Sequence, residues 1–171
     1  YDGESGKFNE IVFNLQNLLS ENHKVLIFSS FVKHLQLIES YLKAENIGYT
    51  LLTGQTRNRQ DNIRLFQERD DCPVFLISLK AGGFGLNLTA ADYVFLVDPW
   101  WNPASEEQAI NRAHRIGQNK NVFVYRFISY STIEEKIQKL QQKKSALANL
   151  FINTNNPFKN IKKDQINDLF T

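Results

Sequence analysis

The chain has 171 residues, of which 42% are hydrophobic, and a formal net charge of +2, which predicts one globular domain with a tail rather than two ordinary domains. No run of about eighteen apolar residues and no basic-then-apolar leader occurs, so we expect an intracellular protein that is neither inserted into a membrane nor secreted. The single cysteine, Cys72, excludes an internal disulfide, and with only three scattered histidines we expect no structural zinc or other bound metal.

Five short apolar runs predict β-strands: KVLIFS from residue 24, YTLLT from 49, VFLIS from 74, YVFLV from 93 and NVFVYRFI from 121. Apolar residues at helical spacing precede the first run and separate most of the others. Near-continuous apolar strands that alternate with helices are typical of a parallel sheet covered on both faces. The sequence therefore predicts an α/β fold with a doubly wound, mainly parallel sheet.

The predicted boundaries divide the chain into three parts. Residues 1–130 form the α/β lobe, which begins with a helix at 8–21. Residues 131–152 form a long helix with lysines on one side, and its apolar stripe is expected to pack back onto the lobe through Ile133, Ile137, Leu140, Leu147 and Leu150. Residues 153–171 are predicted to form a loop and a short terminal helix, DQINDLF.

A glycine-rich loop, SLKAGGFGLNLTAAD, follows the third strand. Ligands of doubly wound sheets bind beyond the carboxyl ends of the strands, and Gly82, Gly83 and Gly85 would let backbone N–H groups approach phosphate oxygens. A simple turn also needs glycines, so both interpretations stand. The loop is not a dinucleotide fingerprint, because Leu88 occupies the place of the third glycine, and the chain has no P-loop. This chain therefore holds only part of any nucleotide site.

The segment EEQAINRAHRIGQ, after the fourth strand, predicts a short helix that ends near a glycine. Asn102 has the character of an N-cap and Pro103 that of a first helical residue. At 3.6 residues per turn, Gln108, Arg112 and Arg115 fall on one face of this helix. Three long polar side chains are therefore predicted to point in the same direction.

Structural interpretations accompany these features. The two arginines can form salt bridges with Glu106 or Glu107 instead of binding a ligand. Asp98 ends a strand before a proline, and we expect it to hold a turn rather than to bind magnesium. Trp100 and Trp101 can stack on bases or on a partner, but packing is the favoured interpretation.

The charge is unevenly distributed along the chain. Residues 112–163 carry eleven lysines and arginines against two glutamates, although the whole chain has a net charge of only +2. This asymmetry is compatible with a surface that meets polyanions and equally with a solvated, lysine-rich helix.

Taken in order, KVLIFSSF, TRNRQ, SLKAGGFGLNLTAADYVFLVDPWWNP and QAINRAHRIGQ resemble the motifs of the second, carboxyl-terminal RecA-like lobe of Swi/Snf-type (Snf-two) DNA-dependent ATPases, in helicase superfamily two. The resemblance runs from about Ser5 to Leu150. It implies a RecA-like fold in which the helix from Thr132 is the brace helix. It also implies an ATP-dependent translocase on double-stranded DNA, whose ATP and Mg²⁺ are held mainly by a first, amino-terminal lobe outside this chain.

The resemblance further implies which molecules and residues take part. The expected partners are double-stranded DNA, the first lobe and a DNA-bound protein that is displaced, in the nucleus of a eukaryote or the cytoplasm and nucleoid of a bacterium. Arg112 and Arg115 would be catalytic residues that reach the γ-phosphate, while Gln108, Gly83 and Gly85 would contact the nucleotide. The DNA backbone would be contacted by Ser30, Arg59, Gln60, Ser78, Lys80, Asn87 and Thr89. The lobe alone is expected not to hydrolyse ATP.

Two positions depart from the family pattern. Many members have glutamine where this chain has Ser30, which shortens or removes an expected hydrogen bond, and Asn111 replaces a common aspartate before the first arginine. Two alternatives to a DNA motor remain open. One is a stand-alone nucleic-acid-binding or protein-interaction module that keeps the fold without the motor, and the other is the lobe of an RNA helicase.

Overall fold

The computed structural model describes residues 6–81, 86–100, 102–113, 121–129 and 132–153, except for the side chains of Arg112 and of residues 147–153. Ten elements follow one another in the described residues. In chain order they are α1 (Gly6–Ser20), β1 (Val25–Ser29), α2 (Val32–Ala44), β2 (Tyr49–Leu52), α3 (Arg59–Glu68), β3 (Val74–Ser78), β4 (Tyr93–Leu96), α4 (Pro103–Ala113), β5 (Phe123–Arg126) and α5 (Ile133–Asn153).

The five strands form one sheet in the order β2-β3-β1-β4-β5. Every neighbouring pair is parallel, and Ser29 at the end of β1 is level with Ser78 at the end of β3. All five predicted strands and the parallel, doubly wound arrangement are confirmed. The last two strands stop short of the apolar runs that predicted them.

The core lies on both faces of this sheet, because successive side chains of a strand point to opposite faces. Leu26 and Phe28 of β1 join the cluster beneath α3 and α4. Val25 and Ile27 of the same strand join the cluster beneath α1 and α2. Helices therefore cover the central strands from both sides, which explains why β1 and β3 are buried at every position and apolar at all but their last residue.

The outer strand β5 does not follow this pattern. Its four residues are exposed or half-buried, and Phe123 keeps half of its surface, 50%, exposed while it stacks on Tyr93. The prediction that this run is covered on both faces is wrong, because β5 lies at the margin of the sheet with a neighbour on one side only.

Tight turns lead from the helices into the strands at the amino end of the sheet. After α2, Asn46 adopts a left-handed conformation with φ of 56°, and a chain reversal brings Gly48 against the backbone before Cys72. A Cβ atom on Gly48 would lie 1.7 Å from the carbonyl oxygen of Asp71. Cys72 is buried, and burial raises the pKa of its thiol, as expected for an inert cysteine.

The long helix α5 contacts the lobe through polar side chains. Glu134 accepts a hydrogen bond from Lys7 Nζ at 2.6 Å and one from the backbone N–H of Ser129 at 2.8 Å. Burial opposes ionisation of Glu134, but these two donors outweigh it and the pKa of the carboxyl is lowered. The predicted packing of the apolar stripe is wrong for Ile133 and Leu140, which are 68% and 49% exposed.

The geometry of α5 explains this correction. Glu134 and Gln141, which reach the lobe, are two turns apart on one face, and that face is rotated by about 100° from the apolar stripe. Helical spacing marks a stripe but does not say which face meets the lobe. Leu147 and Leu150 have no described side chains, and the predicted terminal helix DQINDLF lies outside the described residues. The three-part division of the chain stays a prediction.

Candidate functional site

The carboxyl ends of neighbouring strands bring several predicted site residues together. Ser30 follows β1, Lys80 follows β3, and the N–H of Leu79 between them donates to the carbonyl of Ser29 at 3.0 Å. Arg59 and Gln60 begin α3, which follows β2 on the other side of β3. Lys80, Arg59 and Gln60 are exposed and Ser30 is half-buried, so this margin of the sheet presents two cations to solvent.

Three other predicted contacts lie differently. Ser78 is only 3% exposed, so its hydroxyl is covered in this structure. The backbone of Asn87 accepts a hydrogen bond from Gln67 Nε2 at 3.1 Å, and Gln67 Oε1 accepts one from the N–H of Ala90 at 2.7 Å. Gln67 stands in the last turn of α3, so Asn87 and the neighbouring Thr89 are tied to the end of the helix opposite Arg59.

A buried aspartate joins the ends of β1 and β4. Asp98, 2% exposed, accepts hydrogen bonds from Ser29 Oγ at 2.5 Å and from the N–H of Ser30 at 2.9 Å. His34 Nδ1 of α2 lies 3.5 Å from the same carboxylate. The turn role predicted for Asp98 is thereby extended, because it fixes the backbone of Ser30. The only sign of this contact in the sequence was the pair Ser29 and Ser30 at the end of one strand and the carboxylate of Asp98 at the end of another.

The helix α4 begins as the sequence predicted. Asn102 Oδ1 accepts a hydrogen bond from the N–H of Ala104 at 3.2 Å, which confirms the N-cap. The buried face of α4 carries Glu106, Ala109 and Ala113, and Gln108 is exposed. The backbone of Arg112 is one turn beyond Gln108 and therefore on the same face. The remaining predicted nucleotide contacts lie outside the described residues: Gly83, Gly85 and Arg115.

Glu106 is a buried carboxylate whose partners sequence analysis missed. It accepts hydrogen bonds from the N–H of Trp100 at 3.2 Å, from Arg126 Nε at 3.4 Å and from Gln141 Nε2 at 3.4 Å. The salt-bridge alternative for the two arginines stays open, because the side chain of Arg112 and all of Arg115 lie outside the described part of the chain. Trp100 is 2% exposed and meets Phe28 edge-on at 6.1 Å, which confirms its packing role, while Trp101 lies outside the described residues.

A groove of about 840 Å³ separates α4 from α5. Its walls are mixed: polar side chains such as Glu106, Arg126 and Gln141 alternate with apolar ones such as Ile110 and Phe127. Within the described ranges no group of three or more His, Cys, Asp or Glu side chains is placed to hold a metal ion. None of the helices in the described part of the chain has the length and apolar character needed to cross a membrane.

The exposed side of α4 and the carboxyl edge of the sheet near Lys80 and Arg59 differ in the chemical groups they can bind. The exposed side of α4 offers an amide at Gln108 and the position of a guanidinium at Arg112, which suit phosphate oxygens. The carboxyl edge of the sheet near Lys80 and Arg59 offers exposed cations, which suit a polyanion backbone, and the backbone of Ser30 beside them is held in place by Asp98. Among the described residues, neither of these two surfaces supplies the carboxylate cluster that a divalent cation needs.

Comparisons with known proteins identify the family of the chain. The family described as helicase conserved C-terminal domain matches residues 7–117. The mouse DNA excision repair protein ERCC-6-like is 40% identical over 172 residues, which cover 98% of this chain and 14% of the mouse protein. The human chromatin-remodeling ATPase INO80 is 42% identical over 155 residues, which cover 90% of this chain and 10% of the human protein.

The fold is shared with a solved structure. The crystal structure of the C-terminal part of the Fun30 ATPase domain superposes with a TM-score of 0.75 at 40% identity, over 80% of this chain and 45% of that one. The predicted RecA-like fold is therefore confirmed. This chain spans about a sixth or less of the curated relatives it matches. It belongs to the helicase C-terminal domain family, in the branch formed by the Swi/Snf-type ATPases.

Proposed function

We propose that this chain is the carboxyl-terminal lobe of an ATP-dependent translocase on double-stranded DNA and that Arg112 and Arg115 contact the phosphates of ATP bound by a first lobe. The observation that carries the proposal is the seating of α4. Glu106, Ala109 and Ala113 are buried against the lobe, whereas Gln108 is exposed and Arg112 follows it one turn later. We infer that the exposed face of α4, which carries Gln108 and the backbone of Arg112, meets a nucleotide from outside the lobe.

The physical basis of the proposal is the chemistry of guanidinium. It is permanently charged and forked, so it pairs with two phosphate oxygens at once and neutralises negative charge as that charge develops in the transition state. Gln108, on the same face, is suited to hydrogen-bond the nucleotide. No described cluster fits Mg²⁺, so we assign the metal and most phosphate contacts to the first lobe. The isolated chain should consequently not hydrolyse ATP.

The same proposal places DNA at the carboxyl margin of the sheet. Arg59, Gln60 and Lys80 are exposed there, and Ser30 lies beside them with its backbone fixed by Asp98. Contacts of this kind reach backbone phosphates and carry no sequence information. Binding should therefore be independent of DNA sequence and should weaken steeply as salt is raised. Ser78 is buried and would lie behind this surface rather than on it. The contacts of Asn87 and Thr89 with DNA stay predictions.

The names of the relatives support a DNA-acting enzyme. One is called a DNA excision repair protein and another a chromatin-remodeling ATPase. By analogy we infer that the parent of this chain works on DNA inside the cell, in the nucleus if eukaryotic and in the nucleoid if bacterial. A protein bound to that DNA would be displaced as the motor moves.

The test is DNA-stimulated ATP hydrolysis by the full-length parent protein, with Arg115 intact and with Arg115→Ala. An arginine that acts on the transition state contributes roughly 10³- to 10⁵-fold in rate, so the substitution should lower kcat by orders of magnitude while DNA binding persists. Lys43→Ala, on α2 at the other face of the sheet, is the control for loss of one exposed positive charge. An unchanged kcat would refute the proposal, and stronger stimulation by RNA than by DNA would favour an RNA helicase.

A further inference from the structure

The helix α5 meets the arginine-bearing helix α4 at one buried carboxylate. Glu106 lies in the first turn of α4 and is 7% exposed. Its Oε1 atom accepts hydrogen bonds from the N–H of Trp100 and from Gln141 Nε2 of α5, and its Oε2 atom accepts one from Arg126 Nε. One carboxylate thus connects α4 with the loop after β4, with the end of β5 and with α5.

We propose that Glu106 is a positioning residue through which the location of α5 sets the location of α4 and hence of its arginines. The inference rests on the proposed function, because it concerns the helix whose arginines are proposed to contact ATP. The donors from Arg126 and Gln141 are each 3.4 Å from Glu106, near the upper limit for a hydrogen bond. A small displacement of α5 therefore changes which of these donors keeps its hydrogen bond to the Glu106 carboxylate.

The way in which α5 is attached to the lobe makes such a displacement feasible. Near its amino end α5 is fixed by Glu134, which binds Lys7 and the backbone of Ser129. Two turns further on, Gln141 reaches Glu106 across the rim of the 840 Å³ groove. The groove lies between α4 and α5, with Ile110 of α4 and Ala146 of α5 among its walls. A rotation about the Glu134 attachment would thus move Gln141 relative to Glu106 without disturbing the sheet core.

A neighbouring glutamine supplies the matched control. Gln141 and Gln142 are consecutive residues of α5 and both line the groove, but it is Gln141 that donates to Glu106. A negative charge at position 141 would face the buried carboxylate, whereas a lysine there would pair with it. The same charges at position 142 would lie about 100° further round the helix.

The experiment measures DNA-stimulated ATP hydrolysis by the full-length parent protein carrying Gln141→Glu, Gln141→Lys, Gln142→Glu or Gln142→Lys. Loss of one hydrogen bond of this kind corresponds to about a 2- to 10-fold change. Gln141→Glu should lower kcat by that factor with a smaller change in KM for ATP, because the arginines are proposed to act in the transition state. Gln141→Lys should retain kcat, and both variants at position 142 should match the unmodified protein.

Equal kcat values for Gln141→Glu and Gln142→Glu would overturn the coupling. If Gln141→Glu does not fold, the cycle of Glu106→Gln, Gln141→Ala and their combination replaces it. Coupling then requires that the effects on kcat fail to add, and additive effects refute it. Arg115→Ala separates the two proposals: an unchanged kcat refutes the proposed function, whereas a large loss of kcat beside an inert Gln141→Glu refutes the coupling alone.

Discussion

Replacing Asp98 with alanine should destabilise the chain more than replacing any exposed carboxylate. The carboxylate of Asp98 accepts the Ser30 N–H at 2.9 Å and the Ser29 hydroxyl at 2.5 Å in a site that is 2% exposed. The Ser29 hydroxyl can turn to the carbonyl of Phe31, which lies 3.1 Å away. The Ser30 N–H is the donor that alanine leaves without an acceptor.

The size of the effect follows from these contacts. An orphaned, buried N–H costs about 1 to 3 kcal/mol, and the weakened Ser29 contact adds about 1 kcal/mol. Alanine also removes the cost of burying a charge, so the net loss should be about 2 to 3 kcal/mol. Asp98→Asn should lose only about 1 kcal/mol, since its carbonyl can accept the Ser30 N–H and its amide can donate to Ser29.

Equilibrium urea unfolding followed by circular dichroism measures these differences. The control is Asp71→Ala, which removes an exposed, solvent-screened ion pair with Arg69 and should leave the free energy of unfolding nearly unchanged. Hydrogen exchange adds a local readout, because the Ser30 amide should lose protection in Asp98→Ala and keep it in Asp98→Asn. The reasoning fails if Asp98→Ala is no more costly than Asp71→Ala, or if alanine and asparagine are equivalent.

Three further outcomes are expected. Gly48→Ala forces a Cβ into a carbonyl oxygen and should cost at least about 3 kcal/mol of stability. Gly54→Ala is the control, because Gly54 has open space around it, and it should change stability by less than about 1 kcal/mol. Similar urea midpoints for the two variants would contradict the close approach at Gly48. The lowered pKa of Glu134 contributes stability above its ordinary value of 4.5, and this contribution is lost as pH falls through the folded-state pKa. Glu134→Gln should therefore flatten the acid side of the stability curve, and an unchanged curve would exclude its ion pair. The Cys72 thiol should react with iodoacetamide only as the chain unfolds, and rapid labelling of the folded chain would refute its burial.

The fold was accessible to sequence analysis because its signals are local. The central strands β1 and β3 are apolar at four of their five positions, and the helices keep a spacing of three and four residues, so neither assignment needs long-range information. The N-cap at Asn102 is of the same kind, since the side chain and the N–H that it accepts are two residues apart.

The errors share the opposite cause. The exposure of β5 depends on strand order, which no single run of residues encodes. The buried roles of Asp98 and Glu106 depend on partners 69 and 35 residues away in the sequence, namely Ser29 and Gln141. A carboxylate in a polar sequence context gives no sign of such partners. The arginine face of α4 was predicted from spacing, but its biochemical role came from the resemblance to a family.

The two marginal strands of the sheet have a consequence for self-assembly. Strands β2 and β5 each contain four residues, so either outer strand offers an incoming strand only about two residues whose backbone groups point outward for pairing. Arg126 at the end of β5 adds a charge where a foreign strand would align. Such short margins give little free energy for strand addition, even though Phe123 is exposed. Among the described residues, it is therefore the shortness of the outer strands that limits growth of the sheet.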